Sequence, residues 1–333
     1  MFGLGVWTGL AESAFLADVT TRDRDPTRLA ATLIGGLCVG AVSGIACWTL
    51  LIVPYTFLAG LGGEGLRGLG QIALRLEDPD ERDIGLIVLR LLATTATNGM
   101  AFFAFVCLAG ILAGHPLRRY VTAADSVRWR LLILGAGLSA LAIAPLFLLD
   151  LLSSPANHAL PVVAVAPTWS GRIVYALATL SLIPLAAAEE LMFRGWLVRQ
   201  TAAFTRQPAA LVIFPALVFS AAHFDFAPDA FLALALMGAG LAYMTLRLGG
   251  LEFSIGVHAV NNLLIVLFLE PLTRQNADQA NTPVVGPWLE DFLRIAGYVL
   301  ITESVVRIEP LRRWAGVKLD QIAPPAFGAP RFG

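Results

Sequence analysis

The sequence predicts an all-α fold, a polytopic integral membrane helix bundle with about eight transmembrane helices. Three observations carry that expectation. Of the 333 residues, 57% are hydrophobic and 14% charged, and mean hydropathy is +0.74, whereas a soluble domain carries about 25% charged residues. The apolar residues gather into runs near the ~20 residues that cross ~30 Å of hydrocarbon. Charged, arginine-rich or proline-bearing linkers separate those runs.

Residues 1–28 are expected to form an N-terminal interfacial segment. The first twenty lack a basic stretch, and Glu12 and Asp18 interrupt their apolar residues, so an amphipathic helix fits better than a cleaved signal peptide. Residues 29–170 hold the first apolar runs, at 29–53, 86–113 and 130–152. Gly36, Gly40 and Gly44 make two overlapping small-xxx-small steps on the first. They mark either a close helix contact or ordinary membrane glycine usage. Between the first two runs lies a charged stretch from Glu64 to Asp83 that suits a partly interfacial helix. A core at 171–270 holds runs at 172–198, 209–225, 230–247 and 251–270; 271–309 holds one at 287–305, and 310–333 reads as a loosely ordered tail with Pro310, Pro324, Pro325 and Pro330. His115 and His158 fall in expected loops, as solvated side chains.

Lysine and arginine bias orients such a bundle. With the amino terminus cytoplasmic, Arg22, Arg24, Arg28, Arg118, Arg119, Arg128, Arg130, Arg199, Arg206 and Arg247 all lie inside, while 153–171 lacks Lys and Arg. Both termini are then cytoplasmic. A net charge of −1 gives no sign of a nucleic-acid partner. Cys38, Cys47 and Cys107 sit in apolar runs and resemble buried small hydrophobes more than disulfide partners.

Three short motifs place ionisable residues in the most apolar half of the chain. Such residues cost roughly 2.5–3.5 kcal/mol each at a bilayer centre on insertion scales, and mark function by default. The first is Glu189-Glu190-Leu191-Met192-Phe193-Arg194. Glu190 and Arg194 are four apart on one helical face, acid first, the better order for an ion pair. Glu189 lies about 140° round the helix from Arg194. Glu190–Arg194 is therefore expected as a neutralised structural pair, with Glu189 left for chemistry. The second motif, Phe219 to His223, and the third, His258 to Asn262, each repeat the i,i+4 spacing. His258 and Asn262 could point together at one bound oxygen, with Asn261 a close rival. Phe219 is expected to pack.

Depth tests whether the motifs meet. Counting 1.5 Å per residue from the Gln207-Pro208 turn, Glu189 and His223 both stand roughly 23–28 Å above it and can face each other. His258 stands only about 12 Å above the Gly249-Gly250 turn. That mismatch requires tilt, a displaced turn or a broken helix.

EExxxR, FxxxH and HxxxN, in this order within apolar helices, resemble the CPBP family of intramembrane proteases, which includes the type II CAAX prenyl endopeptidases and bacterial Abi-type proteins. The likeness covers roughly 172–270. It implies an intramembrane endopeptidase in which Glu189, helped by His223, acts as general base on a water, and His258 and Asn262 stabilise the oxyanion. No cofactor is needed for this, while Glu189, His223 and His258 could alternatively hold a zinc ion as two histidines and a carboxylate. The expected partners are the lipid bilayer and a membrane-associated peptide or protein substrate. The composition suggests a bacterial cell membrane, where prenylated CAAX proteins are not the expected substrates. A membrane-anchored peptide, a bacteriocin-like peptide or a partner's transmembrane segment fits better. Two non-hydrolytic alternatives stay open: a non-catalytic scaffold or immunity protein, and a proton-coupled transporter.

Overall fold

The computed structural model describes residues 9–77, 83–153, 161–164, 166, 168–269 and 286–322. His158 and the prolines at 324, 325 and 330 lie outside them. Among the described residues there is no strand, and the helices follow the apolar runs closely: α1 Pro26–Leu58, α2 Leu66–Glu77, α3 Ile84–Ala113 and α4 Trp129–Ser153. The core follows with α5 Trp169–Thr179 and α6 Leu182–Glu190, which runs through a π-helical turn, Leu191–Leu197, into α7 Val198–Phe204. Then come α8 Pro208–Ala221, α9 Pro228–Leu248, α10 Glu252–Leu264, α11 Gly286–Arg307 and α12 Glu309–Trp314.

Local chemistry sets these ends. Asp25 caps α1, accepting from Thr27 N at 2.9 Å ahead of Pro26. Asp83 caps α3 through Leu86 N at 3.1 Å, and Gly114 closes it in the left-handed region, φ 67°. Pro208 and Pro228 open α8 and α9, where a missing N–H costs nothing. Among the described residues four stretches are long and apolar enough to cross a membrane: α1, α3, the run Trp169–Phe204 and α9. Trp129–Ala144, Pro208–Ala221 and Glu252–Phe268 are apolar but shorter. This is an integral membrane protein.

The three glycines of α1 are a packing ridge. A Cβ on Gly36 would lie 2.5 Å from the Phe105 ring, on Gly40 2.9 Å from Ala101 O, and on Gly44 3.1 Å from Thr97 O. The backbones of α1 and α3 therefore meet directly, as small residues allow in membranes. Amphipathic α2 covers the end of this pair, with Ile72 and Leu76 buried and Leu66 and Leu74 exposed. All three cysteines are free, as expected of residues that are not disulfide partners, but the rest of the protein does not bury them: Cys38 is exposed and the other two half-buried on spanning helices.

The start of the chain also differs from the expected single amphipathic helix. Residues 10–24 form three 3-10 turns, Leu10–Glu12, Ala14–Leu16 and Thr21–Arg24. Leu10, Phe15 and Leu16 are buried in the same cluster as Tyr120, Trp196 and Leu246. The Ser13 hydroxyl donates to Leu246 O at 2.5 Å. Arg199, counted above with the loop charges, is 5% exposed and pairs with Asp18 at 2.6 Å. His115 is no free loop residue either: it lies 3.5 Å from Asp23 and 3.1 Å from Arg119.

Candidate active site

The core helices bring Glu189, Glu190, Arg194 and His258 together. Glu190 and Arg194 are wholly buried, with Oε1 to Nη1 at 2.9 Å. This is the pair expected from their spacing, held across the start of the π-helical turn. Such turns recur at functional sites. Arg194 also donates from Nη2 to Gly238 O at 3.3 Å. Its guanidinium carbon lies 4.2 Å from the centre of the Phe219 ring. A Cβ at position 238 would sit 3.3 Å from Nη2, so the bare glycine lets α9 come this close.

His258 is 2% exposed and has a carboxylate on each ring nitrogen. Nδ1 lies 2.9 Å from Glu190 Oε1 and Nε2 lies 3.4 Å from Glu189 Oε2. A neutral imidazole donates from one nitrogen only. The ring therefore either carries both protons or shares one with Glu189 across the longer contact. With both protons, two carboxylates face one guanidinium and one imidazolium, and the buried charges cancel. Glu189 differs from its neighbour in keeping 11% of its side chain exposed. It alone of the two glutamates has an edge open for water.

The partner of Glu189 is thus His258, and the pairing with His223 inferred from depth is not made. Among the described residues no ion pair joins Glu189 to His223. His223 stands just past the end of α8, exposed, and its ring lies over Phe219 with centroids 4.6 Å apart. Its Nδ1 is 2.8 Å from Phe219 O. A carbonyl only accepts, so Nδ1 is the donor in this contact. The chain leaves the helix through Phe224, φ 56°, a conformation uncommon for a residue other than glycine.

Phe219 is more than packing, for its ring links the motifs. It is wholly buried, covers Arg194 and meets both histidines, with His258 at 5.9 Å between centroids. Asn262, one turn beyond His258, is half-buried and accepts from Asn261 Nδ2 at 3.5 Å. Asn261, its rival, is 3% exposed and accepts from the Tyr298 hydroxyl at 3.5 Å. Among the described residues the zinc set of Glu189, His223 and His258 is not gathered as a cluster: both His258 nitrogens face glutamates, and His223 Nδ1 meets Phe219 O.

The displaced turn resolves the depth mismatch. Residues 246–259 are buried throughout, so the α9–α10 turn lies inside the protein and not at its edge. Leu251 N donates to Val121 O at 2.8 Å and Ala123 N to Gly249 O at 3.0 Å, with a bridge between Thr122 and Gly250. Arg128 and Glu252 form a buried ion pair there, 2.6 Å between Nη2 and Oε2. Sequence reasoning counted Arg128 as a loop charge and passed over Glu252. An acid at the first position of a helix buried from Glu252 to Ala259 was the available signal.

The chain is 27% identical over 196 residues to the Bacillus subtilis protein named "Uncharacterized protein YyaK", covering 55% of this chain and 63% of the relative. It therefore spans less than two thirds of that relative's length. No solved structure matches it. Residues 168–264, from the start of α5 to the end of α10, match the family model described as type II CAAX prenyl endopeptidase Rce1-like. That segment, under a third of the chain, holds all three motifs and every residue of the site, and in it this chain is similar to the Rce1-like CAAX endopeptidases.

Proposed function

We propose that this protein is an intramembrane endopeptidase hydrolysing a peptide bond of a membrane-associated substrate, with Glu189 as the base that activates water. One observation carries the reading most strongly. Two neighbouring carboxylates share one buried imidazole, yet only Glu189 keeps an open edge. Glu190 is wholly buried and its Oε1 meets both Arg194 and His258, which leaves Glu189, with its open edge, to take a proton from water. The hydroxide then adds to the peptide carbonyl carbon. As the C–N bond breaks, the proton passes to the leaving nitrogen.

His258 serves best as the partner of Glu189, because its two nitrogens already face carboxylates. The oxyanion role inferred from the family resemblance then rests on the Asn262 amide, one turn further along the same face. His223, exposed and stacked edgewise on Phe219, is the group we assign to exchange a proton with substrate. Donors aimed at a developing oxyanion often supply the largest catalytic contribution. No metal enters this scheme. The amino terminus is cytoplasmic by the arginine bias, and α4, α8, α10 and α11 complete about eight crossing or partly crossing helices.

A non-catalytic scaffold remains the second reading, since a charge-balanced cluster also stabilises a bundle. The two separate cleanly. Full-length protein and Glu189→Ala are reconstituted with membranes from cells lacking the protein, and new peptide termini are mapped by mass spectrometry. The proposal expects termini that depend on Glu189, from a variant that inserts and melts like the parent. Equal cleavage by Glu189→Ala contradicts it, and no cleavage by either protein favours the scaffold.

A further inference from the structure

We propose that the buried Arg128–Glu252 pair is a positioning device, setting the height of α10 so that His258 meets both glutamates. This deepens the hydrolytic reading and rests on it for its catalytic consequence. Glu252 is the first residue of α10, and His258 follows six residues later, about 9 Å along the axis. Glu252 is wholly buried and takes three donors from Arg128: Nη2 at 2.6 Å, Nε at 3.0 Å and the backbone N at 3.2 Å. A forked pair of this kind fixes direction as well as distance. Arg128 stands immediately before α4 and is itself held by Leu248 O at 2.8 Å and Gln321 at 3.3 Å. Four chain segments thus converge on one guanidinium.

The neighbourhood leaves α10 little freedom to slide. A Cβ on Gly250 would overlap the Glu252 carboxylate and lie 2.5 Å from Arg128 Nη2. A Cβ on Gly135 would lie 2.5 Å from Phe253 O, and one on Gly256 would strike Leu132 O. Backbone therefore meets backbone along α4 and α10, and the ion pair pins the register between them. Burying two charges is a poor source of stability, because desolvation offsets the attraction and apolar replacements are often neutral or better. Geometry is what this pair provides. A displacement of 1 Å at a catalytic group can cost about 10²-fold in rate.

The test uses full-length protein in phosphatidylethanolamine/phosphatidylglycerol nanodiscs, labelled with ¹⁵N-histidine. The chain has four histidines, and loss of a signal in His258→Gln assigns the relevant one. In Arg128→Met/Glu252→Met the thermal midpoint is expected to stay near that of the parent. The His258 nitrogen signals should move while those of His223 stay, and cleavage of membrane substrates should fall at least about tenfold. A folded double variant with unmoved His258 signals overturns the proposal, as does one whose signals move without loss of cleavage. If the double variant does not fold, Arg128→Lys, which keeps the charge and loses the fork, must move the same signals or the proposal fails. Absence of cleavage by the parent protein counts against the hydrolytic reading alone, and the His258 signals still decide the positioning.

Discussion

The α1–α3 pair and the 168–264 core solve the same packing problem in opposite ways. Along α1, Gly36, Gly40 and Gly44 remove side chains so that backbones touch Phe105, Ala101 and Thr97. In the core, charged side chains are buried and paired one with another: Glu190 with Arg194 and His258, and Glu252 with Arg128. The first solution needs only space. The second needs every partner, because an unpaired charge in a low-dielectric interior is far more costly than a lost contact. The core, not the glycine-packed pair, is therefore where chemistry can be held in place and where single substitutions do most harm.

That difference predicts an order of damage. Glu190→Ala or Arg194→Ala should destabilise the protein by about 3–5 kcal/mol, since each strands a buried charge. Thermal unfolding in detergent would register this as a large fall in midpoint or a loss of extractable folded protein. A midpoint within a degree or two of the parent would break the contrast. Gly40→Val on α1 should cost less, about 1–3 kcal/mol, by forcing overpacking against Ala101. The site should survive it, so cleavage measured below the new midpoint should match the parent.

How far the sequence alone could see follows the same divide. Apolar runs revealed the helices, since hydrophobicity is local. Glu190–Arg194 was legible because its partners are one turn apart. The Glu189–His258 contact was not, because helix rise alone placed His258 about 10 Å too shallow. Its true height depends on Arg128 and Glu252, which are 124 positions apart. The docking of the first residues was hidden for the same reason. Short 3-10 turns have no periodicity, and the partner of Ser13 is 233 positions away.

A smaller effect sharpens the comparison at the edge of the core. Tyr120 lies outside the spanning helices, and burial pushes its hydroxyl up to about 12, with Arg199 opposing. A raised value in the folded state means that stability holds below the ordinary tyrosine range and declines as pH rises from about 10 to 12. The decline is bounded at about 2–3 kcal/mol. Tyr120→Phe should flatten this alkaline decline in midpoint, and an unchanged slope would assign the decline to another group.

The central claim is that Glu189, alone of the two neighbouring glutamates, does the chemistry. Glu189→Gln keeps the shape and removes the base, so it should fold like the parent and retain substrate without cutting it. The deciding measurement is to capture protein co-purified with Glu189→Gln in mild detergent and incubate it with the parent enzyme. Cleavage of the captured protein by the parent and not by Glu189→Gln is the predicted result, with a rate ratio of at least about 10². Cleavage at comparable rates by both would contradict it.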